Sequence, residues 1–119
     1  MAIRAMQAAD LDFAAACTRA EGWSSETREV FAWAWGFDPG GCLVEDGEHG
    51  PAAICVATSY GDLGFIGELI VLPEHRGRGL GRRLLDRAID DLIRKMAMSL
   101  YAGNGKEGWS GSGVLHSEA

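Results

Sequence analysis

The sequence predicts an α/β (α+β) domain, a sheet flanked by helices. Within residues 52–60, Ile54, Val56, Thr58 and Tyr60 fall on one face of a strand, and the smaller Ala53, Cys55, Ala57 and Ser59 on the other. A second apolar run, Phe65–Leu72, meets Pro73 and then an Arg/Gly loop. Behind the loop, Leu80, Leu84, Leu85, Ile89, Leu92, Ile93 and Met96 recur at helical spacing, with Arg82, Arg83, Asp86, Asp90 and Arg94 on other faces.

The remaining elements follow from start and stop signals. Ile3–Met6 reads as a short first strand, and Asp10 as the N-cap of a helix over about Leu11–Ala20, with Gly22 just beyond its end. Ser24 or Ser25 can cap a second helix through about Trp35, before the stop Asp38-Pro39-Gly40-Gly41. Strands over Cys42–Glu45 and Ala52–Tyr60 flank a turn at residues 46–50, and Gly61-Asp62-Leu63-Gly64 leads into Phe65–Leu72. The small face of the middle strand would let a helix pack closely. Met98–Ala102 reads as the start of one more strand. Residues 103–119 hold five glycines in seventeen positions without periodicity, so the expected organisation is a domain over 1–102 and a Gly/Ser-rich flexible tail over 103–119.

At 119 residues, 47% hydrophobic and 24% charged, the chain has the size and composition of one soluble globular domain. No apolar run approaches the roughly 20 residues that span a bilayer, and no signal-peptide core opens the sequence, so a cytoplasmic location is the default expectation. Cys17, Cys42 and Cys55 lack CxxC spacing and read as small buried hydrophobes. Charge is unevenly placed. Residues 1–68 hold 3 Arg and 11 Asp/Glu, whereas residues 69–119 hold 8 Lys/Arg and 6 Asp/Glu. Arg76, Arg78, Arg82, Arg83 and Arg87 gather at the glycine loop of a chain whose net charge is −6. That pattern points to a small polyanion, because a nucleic-acid surface would show a basic domain and a broader stripe.

Glycines 77, 79 and 81 leave backbone N–H groups uncovered at the positive end of a helix dipole, which reads as an anion cradle. It is not a Walker A loop, since GRGLGR lacks the Lys-Ser/Thr pair, nor a dinucleotide fingerprint, since its spacing is GxGxG. The pattern Val71-x-Pro73-x-x-Arg76-Gly77-x-Gly79-x-Gly81, between a strand and an amphipathic helix, resembles the acyl-CoA-binding motif of the GNAT superfamily of N-acyltransferases, [Q/R]-x-x-G-x-[G/A]. The resemblance covers about residues 2–102. It implies a mixed, mostly antiparallel sheet flanked by helices. Against that pattern the chain is expected to lack most of the usual C-terminal elements.

The resemblance also implies a chemistry: an amine attacking the acetyl-CoA thioester directly, with no metal. Leu69, Ile70 and Val71 would pair with the pantetheine arm through their backbone. The pyrophosphate would lie on the N–H groups from Gly77 through Arg82, so the cofactor-binding set is Leu69, Ile70, Val71, Arg76, Gly77, Arg78, Gly79, Leu80, Gly81 and Arg82. Arg78, Arg82 or Arg83 could add charge-assisted contacts. The implied partner is a small-molecule or peptide amine, with neither nucleic acid nor membrane. A homodimer would cover the sheet edge left by the missing elements.

Glu68, the one acidic residue of the motif strand, is the leading general-base candidate. In a regular strand it faces away from Phe65, Gly67 and Leu69, whereas family bases are often carried at positions matching 65 or 67. A bulge would reverse this, and the other reading is an ordinary carboxylate paired on the sheet. Tyr101 lies near where the family takes its tyrosine acid, with a strand residue as the other reading; Tyr60 reads as core or sheet packing. His49 and His75 fall in turns and His116 in the tail, without metal-ligand spacing, so all three read as exposed. Trp23, Trp33 and Trp35 could wall an acceptor pocket, but such spacing reads first as core. The alternative to an active transferase is a catalytically weak or inactive acyl-CoA-binding module, or a truncated enzyme, acting through dimerisation or a partner.

Overall fold

The structure, a computed structural model, describes residues 2–60, 63–102 and 114–115. Strand β1 (Ala2–Ala5) runs through a 3-10 turn at Ala8–Asp10 into α1 (Leu11–Ala20) and then α2 (Arg28–Phe37). Strands β2 (Cys42–Asp46), β3 (Pro51–Ser59) and β4 (Gly64–Val71) follow, and a turn at Pro73–His75 precedes α3 (Leu80–Ala102) and β5 (Val114–Leu115). The sheet order is β1-β2-β3-β4-β5, antiparallel through β4, with β5 parallel to β4. This is the expected mostly antiparallel mixed sheet flanked by helices. None of the described helices is long and apolar enough to cross a membrane.

The two faces of β3 organise the two cores. Ala53, Cys55 and Ala57 meet Leu80, Leu84, Ala88 and Leu92 of α3. Small residues on both sides let the helix approach closely, and Ala88 supplies the step at the centre of an i, i+4 ladder. Ile54 and Val56 face the other way, with Val44 and Ile70, onto Met6, Leu11, Ala14, Cys17, Phe31 and Ala34 of the α1–α2 layer. Burying a side chain such as Phe31 or Leu84 completely is worth about 1.5–3 kcal/mol.

Several boundaries differ from the sequence reading, each for a local reason. Asp10 does not cap α1: its carboxylate accepts from the Gln7 N–H at 2.8 Å and takes a bidentate pair from Arg4. The hydrogen bonds from Arg4 hold the Asp10 carboxyl below the usual carboxylate range. Thr27, not Ser24 or Ser25, caps α2, accepting from the Val30 N–H at 3.4 Å, while Ser25 donates to Glu26. Residues 98–102 continue α3, where a strand was expected. Ala, Met and Leu favour helix as readily as strand, and the ladder carries the helix on. Val114–Leu115, expected in a structureless tail, pairs with Phe65 and Ile66; the other tail positions, 103–113 and 116–119, lie outside the described residues.

One charged group sits inside the α3-facing layer. Glu45 of β2 is fully buried, accepts from the Arg83 guanidinium in the first turns of α3, and leaves its Oε1 without a hydrogen-bond partner among the described residues. Arg83 is 53% exposed and Glu45 0%, so the two partners are not equivalent. Arg83→Met should strand the buried carboxylate and cost about 3 kcal/mol in urea unfolding, whereas Arg83→Met with Glu45→Met should recover most of that loss. Equal losses in the single and double variants would show that the pair does not hold the helix.

Candidate active site

The end of β4 and the start of α3 build a cradle from backbone. Gly77 and Gly79 adopt φ of 81° and 79°, a region closed to most L-residues, so the loop needs glycine there for its own path. A Cβ at either would meet nothing within 4 Å, which leaves the space above them open. Gly81 has a different reason: a Cβ there would lie 3.3 Å from Val71 Cγ2, so glycine seats the helix on the strand. A pocket of about 230 Å³ is lined by Val71, His75, Arg76, Gly77, Gly79, Leu80 and Gly81. The Arg83 N–H donates to Gly79 O at 3.1 Å as the first bond of the helix, and the N–H groups of Leu80, Gly81 and Arg82 precede any intrahelical acceptor.

The structure sorts the arginines that the sequence could only count. Arg76 donates from Nε to Val71 O at 2.8 Å and from Nη2 to Glu21 at 2.8 Å, so it ties the loop to the strand end and to the end of α1. Arg82 is spent on Asp86 and Arg83 on Glu45. Arg78 makes no hydrogen bond or ion pair among the described residues and stands exposed on the loop. The side chains of Leu69, Ile70, Val71 and Leu80 are buried in the two cores, so only their backbone is available to a ligand. His75, expected to be exposed, is half-buried in the pocket wall, with Nδ1 buried and unpartnered among the described residues.

Glu68 lies at a bulge. Ile54 pairs with Ile70 and Val56 with Gly67, so Cys55 alone on β3 opposes both Glu68 and Leu69 on β4. Glu68 takes φ of 50°, the one non-glycine residue in the left-handed region among the described residues, at a cost of roughly 1 kcal/mol. The extra residue exchanges the faces of β4: Ile66, Leu69 and Val71 share the α3 layer, which regular alternation forbids. The parity argument against Glu68 therefore does not apply. Beyond Ile66 the outer edge of β4 carries no strand among the described residues, since β5 reaches only Phe65 and Ile66. Leu69–Val71 thus lie on an edge that no described strand covers, leading from the bulge to the loop, with the Val71 carbonyl taken by Arg76.

Burial pushes the thiols up, to about 11 for Cys17 and about 12 for Cys42 and Cys55, with the Glu68 charge a lesser contributor to the latter two. All three remain protonated near neutrality and unsuited to carry an acyl group. Tyr101 lies in the last turn of α3, not in a strand, and its side chain is outside the described residues. Trp23 and Trp35 pack on the α1–α2 core, and Trp35 Nε1 donates to Met6 O at 2.8 Å. Trp33 and Tyr60 do not follow the core expectation: they are 59% and 45% exposed. His49 is exposed, and His116 lies outside the described residues. Sequence reasoning missed Glu45, whose charge directly after the apolar run Cys42–Val44 was the available signal.

Solved structures with this fold include a protein from Pyrococcus horikoshii provisionally assigned as an acetyltransferase (TM-score 0.69, 20% identity), aligned over 87% of this chain and 42% of its own. The chain thus spans less than half the length of that protein. Ard1 from Thermoplasma volcanium aligns with TM-score 0.72 and 15% identity, over 87% of this chain and 80% of its own. A phosphinothricin acetyltransferase from Sinorhizobium meliloti, solved in complex with acetyl-CoA, aligns with TM-score 0.64 and 21% identity, over 78% and 60%. At these identities the likeness speaks for the fold. No curated protein matches the sequence. The sequence profile of the acetyltransferase (GNAT) family matches residues 6–106, which include the cradle and the bulge, and the chain belongs to that family.

Proposed function

We propose that the protein is an N-acetyltransferase that transfers the acetyl group of acetyl-CoA to a primary amine by direct attack. The observation that carries this reading is the continuity of three backbone features: the bulge at Glu68, the edge at Leu69–Val71 and the glycine cradle before α3. In order, they suit an acyl thioester, an extended amide-bearing arm and a pyrophosphate. Bound there, acetyl-CoA would supply the activated acyl group, with a C–N bond forming as the C–S bond breaks and the thiolate leaves.

The chain's own groups divide the work. Backbone of Leu69, Ile70 and Val71 orients the arm, and an N–H in this stretch polarises the thioester carbonyl. The N–H groups from Gly77 through Arg82, Leu80 and Gly81 included, hold the pyrophosphate, with Arg78 as the cation for its oxygens. Arg76 shapes the loop from behind. Alignment on this scaffold can supply roughly 7–11 kcal/mol of the barrier. Glu68 takes the proton of the attacking amine. Tyr101, in a helix rather than the strand that was its other reading, remains the candidate acid for the leaving thiolate on the resemblance alone. The protonated thiols favour direct transfer over an acyl-cysteine route.

Calorimetric titration with CoA and acetyl-CoA, followed by thiol release across an amine panel, tests the reading. Gly79→Glu should abolish CoA binding, and Gly79→Ala, which carries the same backbone strain without the carboxylate, should weaken it far less. Unchanged affinity in Gly79→Glu would remove the loop from the site. Glu68→Gln should lower kcat about a hundredfold with CoA affinity retained. CoA binding without turnover on any amine would point instead to a binding module.

A further inference from the structure

Strand β4 has one sealed face and one interrupted face. A Cβ at Gly64 would meet Met96 Sδ at 3.1 Å, and one at Gly81 would meet Val71 Cγ2 at 3.3 Å, so α3 lies over the first face from end to end. Ile66, Leu69 and Val71 are buried beneath it. The second face turns to the α1–α2 layer, which buries Ile70. Of the eight residues Gly64–Val71, Phe65 and Glu68 alone are not buried. An amine that attacks a thioester at the bulge therefore comes from the second face, where the strand is not sealed.

Phe65 and Gly67 stand on that face together. Gly67 pairs with Val56 and Phe65 with Thr58, cross-strand partners share a face, and Val56 belongs to the α1–α2 core. The Phe65 ring is folded along the strand over Gly67. A Cβ at position 67 would lie 3.0 Å from its Cε1 and 3.5 Å from its Cζ. Gly67 does not take a positive φ, so the path of the chain does not call for glycine there. The ring does.

These contacts set an aromatic ring at the acyl end of the site. From the cradle the track runs along Val71, Ile70 and Leu69 to the bulge, and whatever follows the thioester continues toward Gly67. Gly67 is one residue, about 3.4 Å, from Glu68. Beyond it the strand edge is taken at Phe65 and Ile66 by Val114 and Leu115, and the space over Gly67 by the ring. The ring is already in contact with the strand, so it has no room to retreat from a ligand.

Resting on the acyltransferase reading, we propose that Phe65 is the end wall of the acyl site and sets its chain-length limit, admitting acetyl and refusing butyryl and longer groups. It does so by touching the acyl tail, and it has no part in the proton transfer assigned to Glu68. One methylene too many in a fitted apolar site costs about tenfold or more in affinity.

The test titrates the full chain calorimetrically with CoA and with acetyl-, propionyl-, butyryl- and hexanoyl-CoA, so it needs no acceptor. Each affinity is taken relative to CoA for the same variant, which cancels any general loss from a loosened sheet. In the wild type acetyl-CoA should match CoA, and butyryl-CoA should bind about a hundredfold more weakly than acetyl-CoA. In Phe65→Ala butyryl-CoA should bind as well as acetyl-CoA. Phe65→Leu, which disturbs the sheet less and decides the matter if Phe65→Ala does not fold, should admit propionyl-CoA and still discriminate against hexanoyl-CoA. A flat chain-length profile in the wild type, or a profile that neither variant changes, would overturn the proposal while leaving the cofactor site standing. Failure of the wild type to bind CoA would sink the acyltransferase reading, and the wall with it.

Discussion

The site depends on how the first turn of α3 is seated on the end of β4. Gly81 brings the helix to within side-chain contact of Val71, and Leu80 and Leu84 bury themselves against the small face of β3. Arg83 reaches down to a fully buried carboxylate, and Arg76 holds the loop from the opposite side through Val71 O and Glu21. Together these contacts fix the direction of the N–H groups at the first turn of α3, the donors that the proposed pyrophosphate site would use. A helix N-terminus free to rock would present the same donors with a weaker combined field.

The other end of the site rests on a second constraint, the extra residue in β4. Because Cys55 opposes both Glu68 and Leu69, the strand can place Ile66 on the α3 layer, cross over, and keep Leu69 and Val71 on it as well. The bulge therefore lets one strand line the core along its length while a carboxylate interrupts it in the middle. Strain at Glu68 is maintained by the pairing of Gly67 and Ile70 with β3 before and after it, since an unusual backbone persists only where its surroundings over-determine it.

Much of this was legible in the residues. The strand–proline–glycine–helix run gave the cradle, and the size alternation over 53–57 gave the face that α3 covers. What could not be read depends on partners distant in sequence. Nothing local tells Arg76 and Arg83, which pair with distant carboxylates, from Arg78, which pairs with none among the described residues, because the partners Glu21 and Glu45 lie 55 and 38 residues away. The bulge was only a conditional, since it is set by register against β3. Trp33 and Trp35 share one helix and differ in fate by the 200° that separates neighbours but one. Residues 98–102 misled because their apolar run suits either period.

The central claim is that one continuous backbone track, from the bulge to the first turn of α3, receives acyl-CoA. Amide hydrogen exchange with and without CoA measures it directly. The account predicts slowed exchange on adding CoA concentrated in residues 68–71 and 77–82, with the α1–α2 layer little changed. Protection centred on α1 and α2, or none in the loop at saturating CoA, would contradict it.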